Sequence, residues 1–303
     1  MPSLALVSTD PEFVGHDDLD LEPLRAALRE RGIDVHVPSW RDSAVDWSRF
    51  DLAVMRSPWD YAEQLPQFLA WLDRASAVTH ILNPAEVIRW NLDKRYLAEL
   101  EERGVRVVES HFCATREDVV AALAAVGTER VVVKPTVSAG SRNTGLFDRS
   151  DPRASALAEH IIAIGKTAMI QPAIQSVSTV GERALVYFDG VFSHALVKGP
   201  ILELGGEFLG GVYTESIEPA QASPEELALA DLTMAAISAV LAARGVGDAV
   251  PLYARLDLVE TNEGPALLEA ELFEPSYFVH TAPASEARFA SAVLARLAML
   301  HAR

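Results

Sequence analysis

Apolar and polar residues alternate in two rhythms over the first 84 positions. Leu4-Ala5-Leu6-Val7 is an unbroken apolar run and predicts a strand. Leu21, Leu24, Ala27 and Leu28 recur at helical spacing within 17–31, a segment that Gly32 closes. Ile33-Asp34-Val35-His36-Val37 alternates and predicts a second strand, Leu52-Ala53-Val54-Met55 a third. A helix over 64–74 and a short strand and turn at Ile81-Leu82-Asn83-Pro84 follow. This alternation predicts a small parallel α/β domain over 1–84. Ligands in such folds bind beyond the carboxyl ends of strands, where Arg56-Ser57-Pro58-Trp59-Asp60-Tyr61 falls.

After Pro84 the pattern changes. A helix is expected over 85–103, ended by Gly104. Val131-Val132-Val133-Lys134-Pro135 reads as a strand, and 136–144 as a loop of small and polar residues. A helix over 152–164 precedes Ala168-Met169-Ile170-Gln171-Pro172, an apolar strand running into a connector. Asp189-Gly190, and later Thr261-Asn262-Glu263-Gly264, each separate two apolar runs and read as hairpin turns. An alanine-rich helix is expected over 225–244 and a final one from 284 onward. The remainder therefore reads as α+β with antiparallel sheets, divided into 85–175 and 176–303.

Composition narrows the function. Half of the 303 residues are hydrophobic and 23% charged, as in an ordinary globular protein. Basic residues number 26 against 43 acidic ones, a net charge of −17, and no run of Lys or Arg supplies the basic face that a nucleic-acid backbone requires. Any anionic substrate must be held by a few placed cations. No apolar run reaches the roughly 20 residues of a membrane span. Met1-Pro2-Ser3 puts no basic stretch before the first apolar run, which reads as a strand rather than a signal peptide. Cys113, the single cysteine, cannot form an intramolecular disulfide, which fits a reducing compartment. The expectation is a cytoplasmic protein.

The densest chemistry lies in Arg255-Leu256-Asp257-Leu258-Val259, a turn, then Leu267-Leu268-Glu269-Ala270-Glu271. Strand side chains alternate, so Glu269 and Glu271 share a face. Asp257 on the partner strand can join them, with Arg255 two residues before it on the same side. Gathered carboxylates repel unless a cation sits among them, and such hard oxygen ligands suit magnesium beside phosphate oxygens. A solvated acidic face of an edge hairpin is the plainer alternative. Lys134 ends a strand just before Ser138-Ala139-Gly140-Ser141-Arg142-Asn143-Thr144-Gly145, a loop whose amides can close over phosphates. Lys94 and Lys198 are further cations beside element ends. Gly165-Lys166-Thr167 does not complete a P-loop: His160 stands where the earlier glycine belongs, and its surroundings are helical. No Gly-x-Gly-x-x-Gly follows the first strand, no His-x-x-x-His pair occurs, and Cys113 is a poor candidate nucleophile.

The order of these features resembles the ATP-grasp superfamily over nearly the whole chain. That resemblance implies a small α/β domain followed by two lobes that grip ATP between antiparallel sheets. It implies an ATP-dependent carboxylate–amine ligase working through an acyl phosphate, with ATP and two magnesium ions, manganese being a substitute. Asn91-Leu92-Asp93-Lys94 and Val133-Lys134-Pro135 look like the family's two ATP-contacting lysines, and Ser138, Gly140 and Ser141 fall in its lid. Gln171-Pro172-Ala173-Ile174 resembles the connector whose backbone meets adenine, and Glu182 the acid that holds ribose. Lys198 and Arg255 match the basic positions at the transferred phosphate, and Asp257, Glu269 and Glu271 the metal ligands. The family commonly has Glu-x-Asn at Glu269-Ala270-Glu271, which leaves Glu271 and Glu274 as alternative third ligands.

The Arg56–Tyr61, Ile81–Pro84 and Glu271-Leu272-Phe273-Glu274-Pro275-Ser276 signatures look most like the glutathione-synthetase-like branch. Within it they are similar to the cyclo-ligases that close O-ureido-serine to cycloserine in antibiotic biosynthesis. Arg56, Asp60, Tyr61 and Arg183 are candidates for recognising an amino-acid-like small molecule, and plain polar positions otherwise. Homo-oligomerisation is an open expectation. Two rival readings are a kinase-like or regulatory nucleotide binder without ligation, and an interaction module with a purely structural acidic hairpin.

Overall fold

A computed structural model describes residues 1–10, 18–202, 204–205, 207–208, 216–247 and 249–302. The first sheet contains β1 (Ser3–Ser8), β2 (Asp34–His36), β3 (Leu52–Ser57) and β4 (His80–Leu82), all parallel, in the order β2-β1-β3-β4. Its faces separate by the two-residue period of a strand. Leu4 and Leu6 pack with Leu24, Ala27 and Leu28 of α1 (Leu21–Arg29), whereas Ala5 and Val7 pack with Phe68, Trp71 and Leu72 of α2 (Leu65–Ser76). A parallel sheet covered on both faces needs apolar residues on both sides of each strand, and Leu4–Val7 of β1 and Leu52–Met55 of β3 supply them. The expected helix start at Asp17 lies outside the described residues.

The expected helix over 85–103 is two helices, α3 (Ala85–Asn91) and α4 (Tyr96–Glu101), broken at 92–95. Asp93 accepts the Arg95 amide at 3.0 Å, and the Lys94 amide leaves the helical ladder to donate to the Thr136 carbonyl at 3.0 Å. That break aims Lys94.

The second sheet is antiparallel. It holds β5 (His111–Cys113), β6 (Arg130–Pro135), β7 (Thr144–Asp148) and β8 (Ala168–Pro172), with α5 (Arg116–Ala125) and α6 (Pro152–Ala163) over one face. Thr115 and Asp118 form a reciprocal capping box at α5. Val131 and Val133 are buried beneath these helices, so Val132 and Lys134 project from the opposite, open face.

A third sheet follows α7 (Gln175–Thr179). It comprises β9 (Glu182–Phe188), β10 (Val191–Lys198), β12 (Ile217–Ala220), β13 (Tyr253–Thr261) and β14 (Gly264–Glu271), in the order β12-β10-β9-β13-β14. The two-residue β11 (Glu207–Phe208) pairs with β7 of the second sheet. The alanine-rich helix α8 (Pro224–Ala243) is, among the described residues, the one helix long and apolar enough to cross a membrane. Here Leu229, Ala230, Met234, Ile237 and Leu241 lie in the core under this sheet, with α3 and α4 alongside. The last helix, α9 (Ser285–His301), packs on α1, β9 and β10.

Strand β14 lies at the sheet edge, yet its outward backbone groups are occupied: Leu267 pairs with the Arg106 carbonyl and the Val108 amide, and side chains take the positions beyond. Asn91 donates to the Ala270 carbonyl and accepts the Leu272 amide, both at 2.8 Å, and the Tyr96 hydroxyl pairs with both Ala270 backbone groups at 2.8 Å. Asn83 holds the Leu272 and Tyr253 carbonyls and accepts the Leu252 amide. A buried backbone group left unpaired costs about 1–3 kcal/mol, so these contacts fix the strand that carries Glu269 and Glu271.

Candidate active site

The second and third sheets face each other across a cavity of about 400 Å³. Its acidic wall is the β13–β14 hairpin, where Asp257 pairs with Glu269 and Arg255 with Glu271. Leu258 pairs with Leu267, so Leu268 is an extra residue on β14 and also lines the cavity. The register puts three carboxylates and one guanidinium on one face, while Leu256, Leu258, Leu267 and Ala270 enter the core behind them.

The charges are interlocked. Arg255 donates to both Asp257 oxygens, at 2.8 and 2.9 Å, and to Glu271 and the Ser276 carbonyl. Lys198, at the end of β10, donates at 2.9 Å to Asp257 and also to Glu182. Gly181 permits that second contact: its φ is +89°, and a Cβ there would collide with the Lys198 carbonyl oxygen. Lys94 reaches Glu269 at 2.9 Å.

Burial raises the Asp257 pKa, but Arg255 and Lys198 outweigh it and hold the carboxyl well below its usual range. For Glu269 burial is likewise outweighed by Lys94 and Lys134, and its pKa falls. Glu271 goes the other way. Burial, opposed by Arg255 but reinforced by Asp257 and Glu269, pushes it up to about 7. Glu274 is raised further by burial and by Glu271. Lys94 stays charged against burial because Glu269 restores it, whereas burial lowers Lys134, with Lys94 and Lys198 adding repulsion.

The expected nucleotide residues converge here. Ser138, Gly140 and Ser141 line the cavity from the β6–β7 loop, Gln171, Pro172, Ala173 and Ile174 from the end of β8, and Glu182 from β9. The Gln171 side chain donates to Ser110 at 2.9 Å. Of the amino-acid-recognition candidates, none lines the cavity. Arg56 is buried against Asp18, Asp20 and the Pro275 carbonyl. Asp60 accepts the Trp40 indole at 2.6 Å and pairs with Arg41. Arg183 pairs with Glu226 at 2.8 Å. Tyr61 is buried, its hydroxyl 3.3 Å from the Ser138 carbonyl and beside Glu274. Trp59, Arg142, Ser276 and Phe278 line the cavity without having been singled out. Trp59, Arg142 and Ser276 lie inside the quoted motifs, but nothing in the local pattern tells which side chain of a loop turns inward. Cys113 is buried, its thiol pushed up to about 11 by burial, which removes nucleophilic character.

A family model, the N-terminal domain of D-cycloserine synthetase DcsG, matches residues 4–83. The cycloserine biosynthesis protein DcsG of Streptomyces lavendulae is 38% identical over 288 residues, covering 92% of this chain and 94% of that one. The chain belongs to the DcsG family. A crystal structure of D-cycloserine synthetase DcsG superimposes with a TM-score of 0.88 at 36% identity, over 97% of this chain and 99% of that one. D-alanyl-alanine synthetase A from Vibrio cholerae shares the fold, with a TM-score of 0.69 at 12% identity over 100% and 99%. The fold is therefore ATP-grasp, and this DcsG-family chain is an ATP-dependent ligase of C–N bonds that acts on a small molecule with ATP and magnesium.

The residues present fit a divalent cation in one respect and not yet in another. Asp257, Glu269 and Glu271 share a face, and the repulsion that Asp257 and Glu269 add to burial at Glu271 is what a cation would relieve. Among the described residues, though, no three acidic or imidazole side chains converge on one point, because each of these carboxylates turns to a lysine or arginine.

Proposed function

We propose that this chain is an intramolecular cyclo-ligase of the O-ureido-serine-to-cycloserine type, working in the cytoplasm. The substrate carboxylate is phosphorylated by ATP, and the oxygen-bound ureido nitrogen of the same molecule then displaces phosphate to close the ring; the carbamoyl group it carries leaves with one water, as carbon dioxide and ammonia, to give cycloserine. The observation that carries this reading is the lining of one cavity by Lys94, Lys134 and Lys198 together with the Asp257–Glu269–Glu271 wall, in a chain 38% identical to DcsG.

Phosphoryl transfer asks little covalent chemistry of a protein, so positioned cations supply most of the rate. Lys94, Lys134 and Lys198 neutralise the phosphates, Arg255 meets charge at the transferred group, and the Gln171–Ile174 backbone receives the adenine with Glu182 at the ribose. Asp257 and Glu269, with Glu271 or Glu274 as third ligand, would hold two magnesium ions, or manganese in their place. Bound there, the metal supplies charge neutralisation between the phosphates. Trp59, Ser276 and Phe278, which line the same cavity, are the residues offered to the amino-acid portion. A lid at 138–145 keeps water from the acyl phosphate. A homo-oligomer is compatible with the reading.

The test is to incubate the protein with ATP, magnesium and O-ureido-serine and follow ADP and the ring-closed product by mass spectrometry. Product that requires ATP supports the proposal. ADP formation without a new C–N bond, whatever carboxylate is supplied, would overturn it.

A further inference from the structure

The stem of the β6–β7 loop is tied down by three consecutive carbonyls, each to a different part of the chain. The Thr136 carbonyl accepts the Lys94 amide at 3.0 Å, the Val137 carbonyl accepts the Lys166 ammonium at 3.0 Å, and the Ser138 carbonyl accepts the Tyr61 hydroxyl at 3.3 Å. Lys166 also donates to the carbonyl of Ala62, at 3.3 Å, in the 3₁₀ turn Tyr61–Glu63 of the first domain. One ammonium therefore bridges two backbone carbonyls from segments 75 positions apart in sequence. Farther along the loop, Arg142 pairs with Glu63 of the same turn.

Lys166 is positioned from below. Gly165 ends α6 with φ +81°, the Lys166 amide donates to Ile161, and the neighbouring Thr167 carbonyl accepts the Thr136 amide at 3.0 Å. The base of the loop, the ammonium and the 3₁₀ turn thus form one connected set. An ammonium between two carbonyls makes charge-assisted hydrogen bonds, stronger than neutral ones, whereas the half-exposed Arg142–Glu63 pair contributes little alone.

We infer that Lys166 is a positioning residue of the ligase, clasping the lid 138–143 to the first domain so that the acyl phosphate meets the substrate nitrogen before it meets water. Lys166 does not line the cavity and touches no reacting group. Without the clasp the lid opens more often, and water attacks the acyl carbon. The carbon–oxygen bond to phosphate breaks, the carboxylate is regenerated, and one ATP and one water become ADP and phosphate with no ring formed. The inference rests on the ligase reading of the cavity.

The experiment compares ADP released per ring closed in wild type, Lys166→Met and Lys166→Arg. We expect the ratio to rise about tenfold in Lys166→Met, as for loss of one charge-assisted bridge, and to return towards wild type in Lys166→Arg, which can still donate to both carbonyls. Hydrogen exchange at amides 138–143 should quicken in Lys166→Met while the β13–β14 amides stay unchanged, a readout that needs no turnover. Glu63→Gln, which removes only the half-exposed pair with Arg142, should raise the ratio less than Lys166→Met does. An unchanged ratio with unchanged loop exchange in Lys166→Met overturns the clasp. A wild-type enzyme that closes no ring overturns the cyclo-ligase reading instead, while the exchange measurement still decides the clasp.

Discussion

Two clusters of buried charge meet along the segment 274–279, and they are built to opposite ends. In the first, Arg56 donates to Asp18, Asp20 and the Pro275 carbonyl, and its guanidinium stacks 4.8 Å from the centre of the Tyr277 ring. Asp20 also accepts the amides of Tyr277, Phe278 and Val279, at 2.6, 3.0 and 2.8 Å. In the second, Arg255 donates to the Ser276 carbonyl, but burial, reinforced by Asp257 and Glu269, drives Glu271 towards its neutral form, and the whole array faces a cavity. Burial and ionic pairing are common to both. What differs is closure: the first cluster satisfies its carboxylates with backbone amides and seals, while the second leaves its polar surface facing space. A buried arginine is therefore weak evidence for a substrate site, and a crowded acid aimed into a cavity is strong evidence.

The sharpest way to break this contrast is to remove each cluster's cation. Arg56→Met strands Asp18 and Asp20 without a counter-charge, and we expect a loss of about 3–5 kcal/mol in urea unfolding. The ADP-forming activity of the folded fraction should change little. If Arg56→Met keeps full stability but loses substrate affinity, the sealed cluster is a recognition site after all. Lys134→Met should do the reverse. Burial already works against this ammonium, and among the described residues it makes no ion pair, so its removal should leave stability unchanged or higher. The rate should fall by about 10²–10³, or 2.7–4 kcal/mol, as for loss of one preorganised charge at a developing anion. Equal losses in stability and rate would erase the distinction.

A third measurement sharpens the account of the acidic wall. With magnesium, ATP at 100 times its Kd should raise unfolding stability by about 2.7 kcal/mol, and the same ATP concentration should raise it less with a chelator. Asp257→Asn should lose the magnesium increment while keeping the part due to ATP alone. An identical shift with chelator in the wild type would remove the cation from the reading.

Much of the second cluster is legible in sequence, because strand alternation alone puts Glu269 and Glu271 on one face and Asp257 with Arg255 on another strand's matching face. Only the pairing register remained to be supplied. Lys134 is similarly readable as the open-face residue of an otherwise apolar strand. The first cluster is not legible. Arg56 finds its partners 36 and 38 residues away in segments with no distinctive pattern, and Arg183 finds Glu226 across 43. An arginine beside a strand end looks the same whether it seals a domain or waits for a ligand. The break between α3 and α4 was hidden for a related reason. The apolar spacing continues through it, and the amide that leaves the ladder is claimed by Thr136, a partner that only tertiary structure provides.

The smallest expected effect concerns the join between the clusters. His194 faces the Tyr277 carbonyl at 2.8 Å through Nε2 and Ser193 Oγ at 2.9 Å through Nδ1, while Arg288 donates to that same hydroxyl and Asp20 lies beyond Tyr277. Burial lowers the His194 pKa below 6.5, and Arg288 adds to this; the Tyr277 carbonyl and Asp20 oppose it without prevailing. The unfolded chain then binds more protons than the folded one between the lowered value and 6.5. Stability is therefore fully present above 6.5 and declines as pH falls through that window. His194→Gln, which keeps hydrogen-bonding groups but cannot titrate, should flatten the decline in unfolding free energy measured between pH 7 and pH 5. The magnesium-dependent part of the ATP shift should be unaffected at pH 7, because the residue belongs to the sealed side. If the slope persists in His194→Gln, the acid sensitivity comes from the carboxylates of the cavity, and the two clusters are less independent than their closure implies.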